Sequence, residues 1–508
     1  MKLRRKMVLL FLAGVLQLQA LAVERPMPAS GWSAGSPAFA GALTPDTALA
    51  APPAAGDQAA QRQALQGEDD PEFRLFLPGI KHNSPIHFAR EVTSPPVMGV
   101  ETHAHFGLPD MPGHPGAWVR RNAVLWSEIE PQPGERRWES LADIEDELLY
   151  AAQAGAQPIL IVRNTPEWAQ KIPGSYCGPI EEEDFQAFGR FLYDLVGRYS
   201  QPPYSVKHWE IWNEPDVTDR ARTPDWQFGC WGDDEDPYFG GGYYAGMLKV
   251  IYPLIKAADP EAQVLVGGLM LDCDPLQPGL CEGKTAHRFL EGILKDGGGE
   301  FFDGIGFHAY EYYNWKLGEY VNRGWGTFQP VPTIRAKTRY IRSLLNQYGV
   351  TGKYLINTET AIVVYSDACD MNCELTKAYY MPQLFSTAMA EGLKGSLWYS
   401  VHSGWRHNDL FSLSRQPLPA YQAYLVAWEV LSSALYDREL DLGPGIQGYE
   451  FTTRGHKLWV LWSLDGQEHP IQLPGYLISV KDPLGQDAGQ NGWVAAASMP
   501  LYVEWSSP

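Results

Sequence analysis

The sequence predicts an α/β protein: a closed barrel of eight parallel strands with surrounding helices, a (β/α)8 or TIM barrel, followed by a small C-terminal antiparallel β-sandwich domain. Short apolar strands alternate with amphipathic helices from Phe73 onward, a pattern typical of a parallel sheet. Eight such strands precede residue 437. Beyond that point apolar and polar residues alternate between Gly, Asp and Pro turns, which indicates antiparallel strands.

The strand and helix lengths suit a barrel with crossover helices. The predicted strands are Val97–Glu101, Asn122–Trp126, Pro158–Arg163, His208–Asn213, Gln263–Gly267, Gly304–Ala309, Tyr354–Thr358 and Gly395–Ser400. The predicted helices are Leu141–Ala154, Glu183–Tyr199, Tyr243–Ala258, Thr285–Lys295, Pro332–Tyr348, Leu375–Glu391 and Leu418–Leu435. An open doubly wound sheet would need fewer strands, and no glycine-rich dinucleotide motif follows the first strand.

The N-terminal residues 1–22 have the features of a secretory signal peptide. Basic residues between Lys2 and Lys6 precede the apolar run Met7–Leu21, and Ala20-Leu21-Ala22 has the small-residue spacing of a cleavage site. An uncleaved membrane anchor is the alternative, which this short run disfavours. We therefore expect a secreted, extracellular protein without stable membrane insertion after cleavage.

Three further segments follow. Residues 23–71 are rich in Ala, Pro, Gly and Gln and predict a disordered linker. Residues 72–437 predict the barrel, and residues 438–508 the β-sandwich domain, to which residues 72–90 could add strands. The strands predicted in that domain are Tyr449–Thr453, Lys457–Ser463, Ile471–Gln472, Tyr476–Lys481 and Leu501–Trp505.

The charge balance and the cysteines restrict the function. The 508 residues include 60 acidic and 40 basic side chains, which argues against nucleic acid as a partner. Six cysteines suit an oxidising compartment and lie in loops after predicted strands. We pair Cys273 with Cys281 and Cys369 with Cys373 within single loops, and therefore Cys177 with Cys230. A zinc cluster is the alternative, but no histidine has ligand spacing to them.

Two glutamates end apolar strands at equivalent places in the repeat. Trp209-Glu210-Ile211-Trp212-Asn213-Glu214-Pro215 reads as a buried strand that stops at a proline. Tyr354-Leu355-Ile356-Asn357-Thr358-Glu359 ends the seventh strand in the same way. Parallel barrels carry their chemistry at these strand ends, where Glu214 and Glu359 are expected to meet.

These motifs resemble the clan A glycoside hydrolases, retaining (β/α)8 barrels in which an Asn-Glu pair ends strand 4 and a second glutamate ends strand 7. Thr165-Pro166-Glu167-Trp168 and the segment Trp126–Pro131 are most similar to family 39, which includes β-xylosidases and exopolysaccharide hydrolases; family 5 is the second choice. The resemblance implies a glycosidase with Glu214 as acid/base and Glu359 as nucleophile. It implies a poly- or oligosaccharide substrate, no cofactor and no metal.

The resemblance also implies roles for neighbouring residues. Asn213 would bind the sugar 2-hydroxyl. His308 and Tyr310 match a His-x-Tyr pair on the sixth strand, whose tyrosine bonds the nucleophile. A strand-2 arginine would hold the nucleophile ionised; Arg120 and Arg121 are both possible, and spacing favours Arg121. Further binding residues would be Trp398, as the floor under the cleaved sugar, and Trp168, in the cleft wall.

Several alternatives and lesser candidates stay open. A transglycosylase would use the same residues with a sugar acceptor, an inactive carbohydrate-binding barrel would lack one carboxylate, and an inverting enzyme would hold the carboxyls about 6.5–9.5 Å apart. The acidic loop Asp233–Asp236 could bind calcium, but a solvated loop is the simpler interpretation. Four loop tryptophans could stack on sugars further out or pack within their loops: Trp226, Trp231, Trp315 and Trp405. His103, His105 and His402 are polar pocket candidates without an assigned role.

Overall fold

A computed structural model describes residues 97–102, 115–218, 228–277, 279–322, 324–325, 332–453, 455–489 and 493–507. The predicted signal peptide, linker and additional strands at 72–90 lie outside these residues, as do His103, His105 and Trp226. The predicted domain boundaries stay predictions. Among the helices described, none combines the length and apolar character that a membrane crossing requires.

The strands in chain order are β1 Met98–Thr102, β2 Trp118–Leu125, β3 Gln157–Arg163, β4 His208–Asn213, β5 Gln263–Leu269, β6 Gly304–His308, β7 Glu311–Tyr313, β8 Tyr320–Val321, β9 Tyr354–Thr360, β10 Ile362–Val363, β11 Ser396–Trp398, β12 Leu435–Glu439, β13 Ile446–Thr453, β14 His456–Ser463, β15 His469–Ile471, β16 Tyr476–Lys481, β17 Val494–Ala496 and β18 Leu501–Ser506. The α-helices are α1 Trp126–Ile129, α2 Ala142–Ala154, α3 Phe185–Tyr199, α4 Gly241–Ala258, α5 Phe289–Lys295, α6 Thr333–Gln347, α7 Met371–Ala390 and α8 Pro419–Leu431. The predicted elements are confirmed with ends that differ by up to four residues, as at β2, which begins at Trp118 rather than Asn122, and at α5, which begins at Phe289 rather than Thr285.

Eight parallel strands close into a barrel in the order β1-β2-β3-β4-β5-β6-β9-β11, and β11 pairs with β1. The predicted (β/α)8 barrel is therefore confirmed. A small sheet, β10-β7-β8, follows the ends of the sixth and seventh barrel strands, β6 and β9. It extends the wall of the mouth beyond the barrel.

The barrel interior changes from apolar to charged along its axis. Its lower end is filled by a buried cluster: Trp118, Ile159, Leu265, Ile356 and Leu397. Residues further along the barrel strands, such as Arg120 on β2 and Glu210 on β4, are buried and charged. A layered interior of this kind makes the barrel a packed core rather than a channel, and it leaves the upper layer for chemistry.

The C-terminal region consists of two antiparallel sheets, ordered β12-β13-β14-β18-β16 and β15-β17. They share a buried core that includes Trp459, Ile471, Val494 and Val503, so the predicted β-sandwich is confirmed. One strand differs from prediction: the helix expected to reach Leu435 ends at Leu431, and Leu435–Glu439 forms β12. The larger sheet buries Tyr449, Phe451 and Val460 in the same core as the barrel helices.

All three predicted disulfides are present. Cys177 is bonded to Cys230, Cys273 to Cys281, and Cys369 to Cys373. The first joins the loops after β3 and β4, which places it directly behind the end of β4.

Candidate active site

Arg120 lies at the centre of the barrel's upper layer and is fully buried. Its Nε donates to Glu210 Oε2 at 2.5 Å, and its Nη2 to Asn213 Oδ1 at 2.7 Å. Its Nη1 donates to Glu101 Oε2 at 2.5 Å and also to Glu359 Oε1. One guanidinium therefore binds three carboxylates and an amide from three other strands, β1, β4 and β9.

The predicted contact of Arg121 with Glu359 is wrong. Successive side chains of a strand point to opposite faces, and on β2 Trp118 and Arg120 face the barrel interior. Arg121 faces outward and its Nε donates to Glu147 Oε2 of α2 at 2.6 Å. The arginine that contacts Glu359 is its neighbour Arg120.

Glu214 and Glu359 meet at the mouth beside His308. His308 Nδ1 lies 2.6 Å from Glu214 Oε1 and 3.4 Å from Glu359 Oε2. One ring nitrogen of His308 and one carboxyl oxygen of each glutamate lie within 4.8 Å of one another, and all three residues are buried. The two glutamates predicted from the strand ends therefore belong to one cluster.

The strands that carry the two glutamates both depart from simple alternation near the site, and on β4 Glu210 and Asn213 both contact Arg120. On β4, Trp212 has φ 74° and Glu214 has φ 48°. Such left-handed conformations cost about 1–3 kcal/mol each and persist only where surrounding contacts fix them. Trp212 is fixed because its indole Nε1 donates to Cys177 O at 2.9 Å and its ring packs edge-to-face on Trp231.

On β9 a β-bulge has the equivalent effect. The register with β6 and with β11 shifts between Asn357 and the following residues. Thr358, which contacts Glu210, and Glu359, which contacts Arg120, both reach the interior although they are consecutive. Bulges beside active sites commonly redirect a side chain in this way.

Tyr310 completes the coordination of Glu359. Its hydroxyl donates to Glu359 Oε2 at 2.5 Å, while Arg120 donates to Oε1. The sequence predicted this tyrosine contact. Glu214, in contrast, has His308 on Oε1, and Oε2 has no hydrogen-bond partner among the described residues.

The two glutamates hold their protons with different strength. Burial raises the pKa of Glu214 well above its usual value, and the charges of Glu359 and Asp216 raise it further. Burial also raises the pKa of Glu359 and the charge of Glu101 adds to this, whereas Arg120 and Tyr310 act in the opposite direction. Because only Glu359 has two donors, we assign the first ionisation to Glu359 and the retained proton to Glu214.

His308 is neutral and binds through one nitrogen. Burial lowers its pKa well below the usual value, and the charges of Arg120 and Lys337 lower it further. Its Nε2 packs against Gly268 of β5, where an added Cβ would come within 2.1 Å. We assign the proton to Nδ1, because that atom faces two carboxylate oxygens and Nε2 has no described acceptor.

Two buried charged residues, Asp216 and Lys337, hydrogen-bond to the backbone beside the cluster. Asp216 accepts the backbone N–H groups of Met270 and Leu271 at 2.9 and 2.8 Å. Lys337 of α6 donates to the carbonyls of Met270 and His308 at 2.5 and 2.7 Å. Burial lowers the pKa of Lys337 to about 8, against the opposing charge of Asp216. These contacts fix the backbone that carries His308.

The predicted floor residue Trp398 does not face the mouth. Leu397 lies inside the barrel, so Trp398 points outward, where its indole donates to Asn408 O at 2.8 Å and packs on Tyr380. The next residue, Tyr399, returns to the mouth and packs edge-to-face on Tyr310. The prediction for Trp398 is therefore wrong, and Tyr399 takes the position expected for it.

Trp168 packs between loops. Its indole Nε1 donates to Glu130 O at 3.1 Å, and its ring lies edge-to-face on Trp126. These contacts explain the position of Trp168 by packing, and its contact with substrate stays a prediction.

Of the other loop tryptophans, Trp231 is buried, while Trp315 and Trp405 are exposed by 62% and 37% and are therefore accessible to a ligand.

Two groups of described residues have donor atoms close enough for a metal ion. Cys273, Cys281 and His287 form one, but its thiols are joined in a disulfide. Glu214, His308 and Glu359 form the other, where both oxygens of Glu359 already accept hydrogen bonds and the cation Arg120 is adjacent. In the loop of Asp233–Asp236, Asp233 and Asp236 accept backbone N–H groups. These contacts favour a bound metal ion neither at the group of Glu214, His308 and Glu359 nor in the loop Asp233–Asp236.

Several residues of the site were missed in the sequence. Glu101, Glu210, Asp216, Lys337 and Tyr399 were not singled out. A charged residue inside an apolar strand is rarely buried without a partner, so Glu210 between Trp209 and Ile211 carried a usable signal. Lys337 lies on a helix with several cations, and its sequence position does not distinguish it.

Comparisons with known proteins agree with this geometry at the level of the fold. No family model matches the sequence, and no curated protein matches it. The chain is similar to the solved structure of a family 39 glycoside hydrolase from Bacteroides cellulosilyticus WH2, with 18% identity, a TM-score of 0.59, and 81% of each chain covered.

Two other solved structures are similar. A GH30 endoxylanase from Clostridium papyrosolvens C71 has 13% identity and a TM-score of 0.51 over 81% of this chain and 96% of its own. BuGH86 in complex with neoagarooctaose has 12% identity and a TM-score of 0.55 over 81% of this chain and 74% of its own. The protein has the fold of clan A glycoside hydrolases, a fold that these structures from families 39, 30 and 86 share.

Proposed function

We propose that this protein is a retaining glycosidase that cleaves β-glycosidic bonds of a poly- or oligosaccharide by double displacement. The observation that carries the proposal is the pair Glu214 and Glu359. One carboxyl oxygen of each lies within 4.8 Å of the other, beside His308. Retaining enzymes hold their carboxyl groups about 5–5.5 Å apart, and inverting enzymes about 6.5–9.5 Å. The fold and the strand ends that carry the pair support the same reaction.

In the first step Glu359 attacks the anomeric carbon as a carboxylate. A glycosyl ester to Glu359 forms as the glycosidic C–O bond breaks, and Glu214 gives its proton to the departing oxygen. Arg120 and Tyr310 orient Glu359 and favour its ionised form. Burial and the charge of Glu359 keep Glu214 protonated until that moment.

In the second step Glu214 acts as a base. As a carboxylate it takes a proton from water while the water oxygen attacks the anomeric carbon, and the ester bond to Glu359 breaks. Two inversions return the original anomeric configuration. The site ends as it began, with Glu214 protonated and Glu359 ionised.

A polymeric or oligomeric substrate is supported by aromatic side chains beside the pair. Trp405 lies edge-to-face on both Tyr310 and Tyr399, with ring centroids 5.8 and 5.6 Å apart, and is 37% exposed. Aromatic faces can stack on the apolar faces of sugar rings. Asn213, held by Arg120 beside Glu359, is the candidate for the 2-hydroxyl contact.

We also propose that the protein is exported. The basic and apolar N-terminal segment supports this, and so do three disulfides, which persist in oxidising compartments. Expression of the full chain in a secreting host, followed by N-terminal sequencing of the extracellular product, tests the proposal. A mature N-terminus near residue 23 is expected; retention in the cell with an intact N-terminus would contradict it.

The activity is tested on a panel of aryl β-glycosides and β-linked polysaccharides. Wild type should release the β-anomer first, as seen by NMR. Glu359→Ala should lose activity and, with azide, give the α-glycosyl azide. Glu214→Ala with azide should give the β-glycosyl azide from substrates with good leaving groups. Glu261→Ala, whose side chain is 80% exposed, is the control.

Three outcomes separate the alternatives. Release of the α-anomer by wild type would identify an inverting enzyme. Products longer than the substrate would indicate transfer to sugar. Saturable binding without turnover, unchanged in Glu359→Ala, would favour a binding protein and contradict the proposal.

A further inference from the structure

Glu101 is a buried carboxylic acid at the candidate active site that the proposed mechanism does not use. It lies on β1, pairs with Arg120 of β2 in the sheet register, and is 1% exposed. Its Oε2 accepts from Nη1 of Arg120 at 2.5 Å, and the same Nη1 donates to Glu359 Oε1. One nitrogen therefore joins the two carboxyl groups.

The charges around this nitrogen do not balance. Glu101, Glu210 and Glu359 all contact Arg120, and all four side chains are buried. Three ionised carboxylates would outnumber the buried cations Arg120 and Arg163 even when both are counted, so at least one of the carboxyl groups keeps a proton at neutral pH. Both Glu210 and Glu359 receive a hydroxyl donor besides Arg120, from Thr358 and Tyr310. Among the described residues, the hydrogen-bond partners of the Glu101 carboxyl are Arg120 and the carboxyl of Glu359.

We propose that Glu101 is a positioning residue that shares one proton with Glu359 across Nη1 of Arg120, and that this sharing sets the pH at which Glu359 becomes the ionised nucleophile. The inference rests on the proposed function and deepens it. When the shared proton lies on Glu101, Glu359 is a carboxylate held by Arg120 and Tyr310. When the proton lies on Glu359, the nucleophile is blocked.

The other charged and titratable groups around Glu101 come from several strands. They are Arg120 on β2, Arg163 on β3, Glu210 on β4, Glu359 on β9, and Tyr310 and Tyr399 after β6 and β11. Burial raises the pKa of Glu101 and the charge of Glu210 raises it further, against the effect of Arg120. Burial lowers the pKa of Arg163 to about 10, so it stays a cation near neutral pH.

The pH profile of kcat/KM tests the proposal through Glu101→Gln, in which a neutral amide replaces the carboxyl. In wild type the acidic limb should reflect two coupled ionisations, because Glu101 and Glu359 compete for protons. In Glu101→Gln the limb should become a single ionisation and move about one pH unit lower, because no second carboxylate repels Glu359. The basic limb, assigned to Glu214, should stay in place.

Glu210→Gln is the matched control. Glu210 is equally buried on the same guanidinium but contacts its Nε edge. If the variants merely loosen Arg120, both should change the acidic limb in the same way. A limb unchanged in Glu101→Gln, or changed equally in both variants, would overturn the proposal. Should Glu101→Gln not fold, Glu101→Asp keeps an ionisable group at greater distance and should give a smaller shift in the same direction.

Infrared difference spectra over the same pH range provide a readout that needs no activity. The intensity of the protonated-carboxyl band that disappears when the pH is raised should be lower in Glu101→Gln than in wild type, by the contribution of one carboxyl group. A full band in this variant would overturn the proposal. If wild type cleaves no glycoside but the band shrinks as expected, the proposed function fails while the shared proton stands.

Discussion

Neighbouring residues of one strand have opposite environments at this site. Arg120 is buried against three carboxylates inside the barrel, and Arg121 pairs with Glu147 of α2 outside it. Removing one partner from a buried ionic network leaves charges without compensation. The Arg121–Glu147 pair is also largely buried, but it lies outside the barrel and does not contact Glu214 or Glu359. Two substitutions of identical chemistry should therefore have very different effects.

We expect Arg120→Lys to lower kcat/KM by about a thousand-fold or more, because lysine cannot bind Glu210, Glu359 and Asn213 through one planar fork. Arg121→Lys should change kcat/KM by less than about three-fold. Steady-state kinetics on the best aryl glycoside, with circular dichroism to confirm folding, check both. Equal losses in the two variants would contradict the assignment of Arg120.

Tyr310→Phe removes one of the two donors to Glu359. The hydroxyl of Tyr310 lowers the pKa of Glu359 against the effect of burial. Without it the pKa of Glu359 should rise, so the acidic limb of kcat/KM should move to higher pH and kcat should fall about ten- to a hundred-fold. Tyr313→Phe, at the end of β7 three residues later, is the control. A shift to lower pH would contradict the role given to Tyr310.

At the scale of elements, the site depends on strands that break their own pattern. Simple alternation would send Glu359 outward after Thr358, and the bulge on β9 prevents this. Trp212 at φ 74° marks the departure on β4, where Glu210 and Asn213 both contact Arg120. The sixth strand keeps its alternation, but it needs space at β5: Gly268 lies directly against Nε2 of His308.

Gly268→Ala should therefore disable the site without unfolding the barrel. Its Cβ would come within 2.1 Å of His308 Nε2, so the imidazole must shift away from Glu214 and Glu359. We expect kcat to fall by about a hundred-fold or more, since misplacement of about 1 Å can cost that much. Gly197→Ala on α3, where a Cβ meets nothing within 4 Å, should keep full activity and add about 0.5–1 kcal/mol of stability. Full activity in Gly268→Ala would show that this contact is dispensable.

Much of this architecture could be predicted from the sequence. Apolar runs with turn signals located all eight barrel strands, because a strand buried on both faces leaves a continuous signal. The ends of β4, β6 and β9 gave Glu214, His308, Tyr310 and Glu359, and the structure brings these four together. Loop positions gave the cysteine pairs.

The errors have one physical origin. Whether a residue faces into or out of a barrel depends on register, and register is set by pairing across strands rather than along the chain. Spacing along the chain favoured Arg121, and the family resemblance favoured Trp398. The strand pairs β1–β2 and β11–β9 instead turn Arg120 and Tyr399 inward. Strands β12 and β17 were missed because they are short, and β12 is mostly exposed and charged.

For the whole molecule, buried acids should make stability fall as pH rises. Glu311 accepts the backbone N–H of Thr333 at the start of α6, and burial raises its pKa to about 8. Its folded pKa exceeds the unfolded value of about 4.3, so folding binds a proton between these values. This stabilisation is complete below about pH 4.3 and is lost as pH approaches 8.

Glu311→Gln should weaken this dependence, because its amide oxygen can still accept from Thr333 and cannot ionise. The free energy of unfolding of wild type should fall between about pH 5 and 8 more steeply than that of the variant, by up to about 1.4 kcal/mol per pH unit. Urea unfolding at several pH values measures this, with Glu261→Gln as the exposed control. Parallel curves for wild type and Glu311→Gln would contradict the buried-acid explanation.

The five-stranded C-terminal sheet has hydrophobic cores on both of its faces, one shared with the helices around the barrel and one with the strands β15 and β17. It also carries Tyr449, whose hydroxyl lies 3.3 Å from that of Thr387 on α7. An appendage attached in this way is not a tethered module that can be exchanged or trimmed. Shortening the protein to its barrel would strip the outer helices of their cover and invite aggregation, so engineering of this enzyme candidate has to keep both halves together.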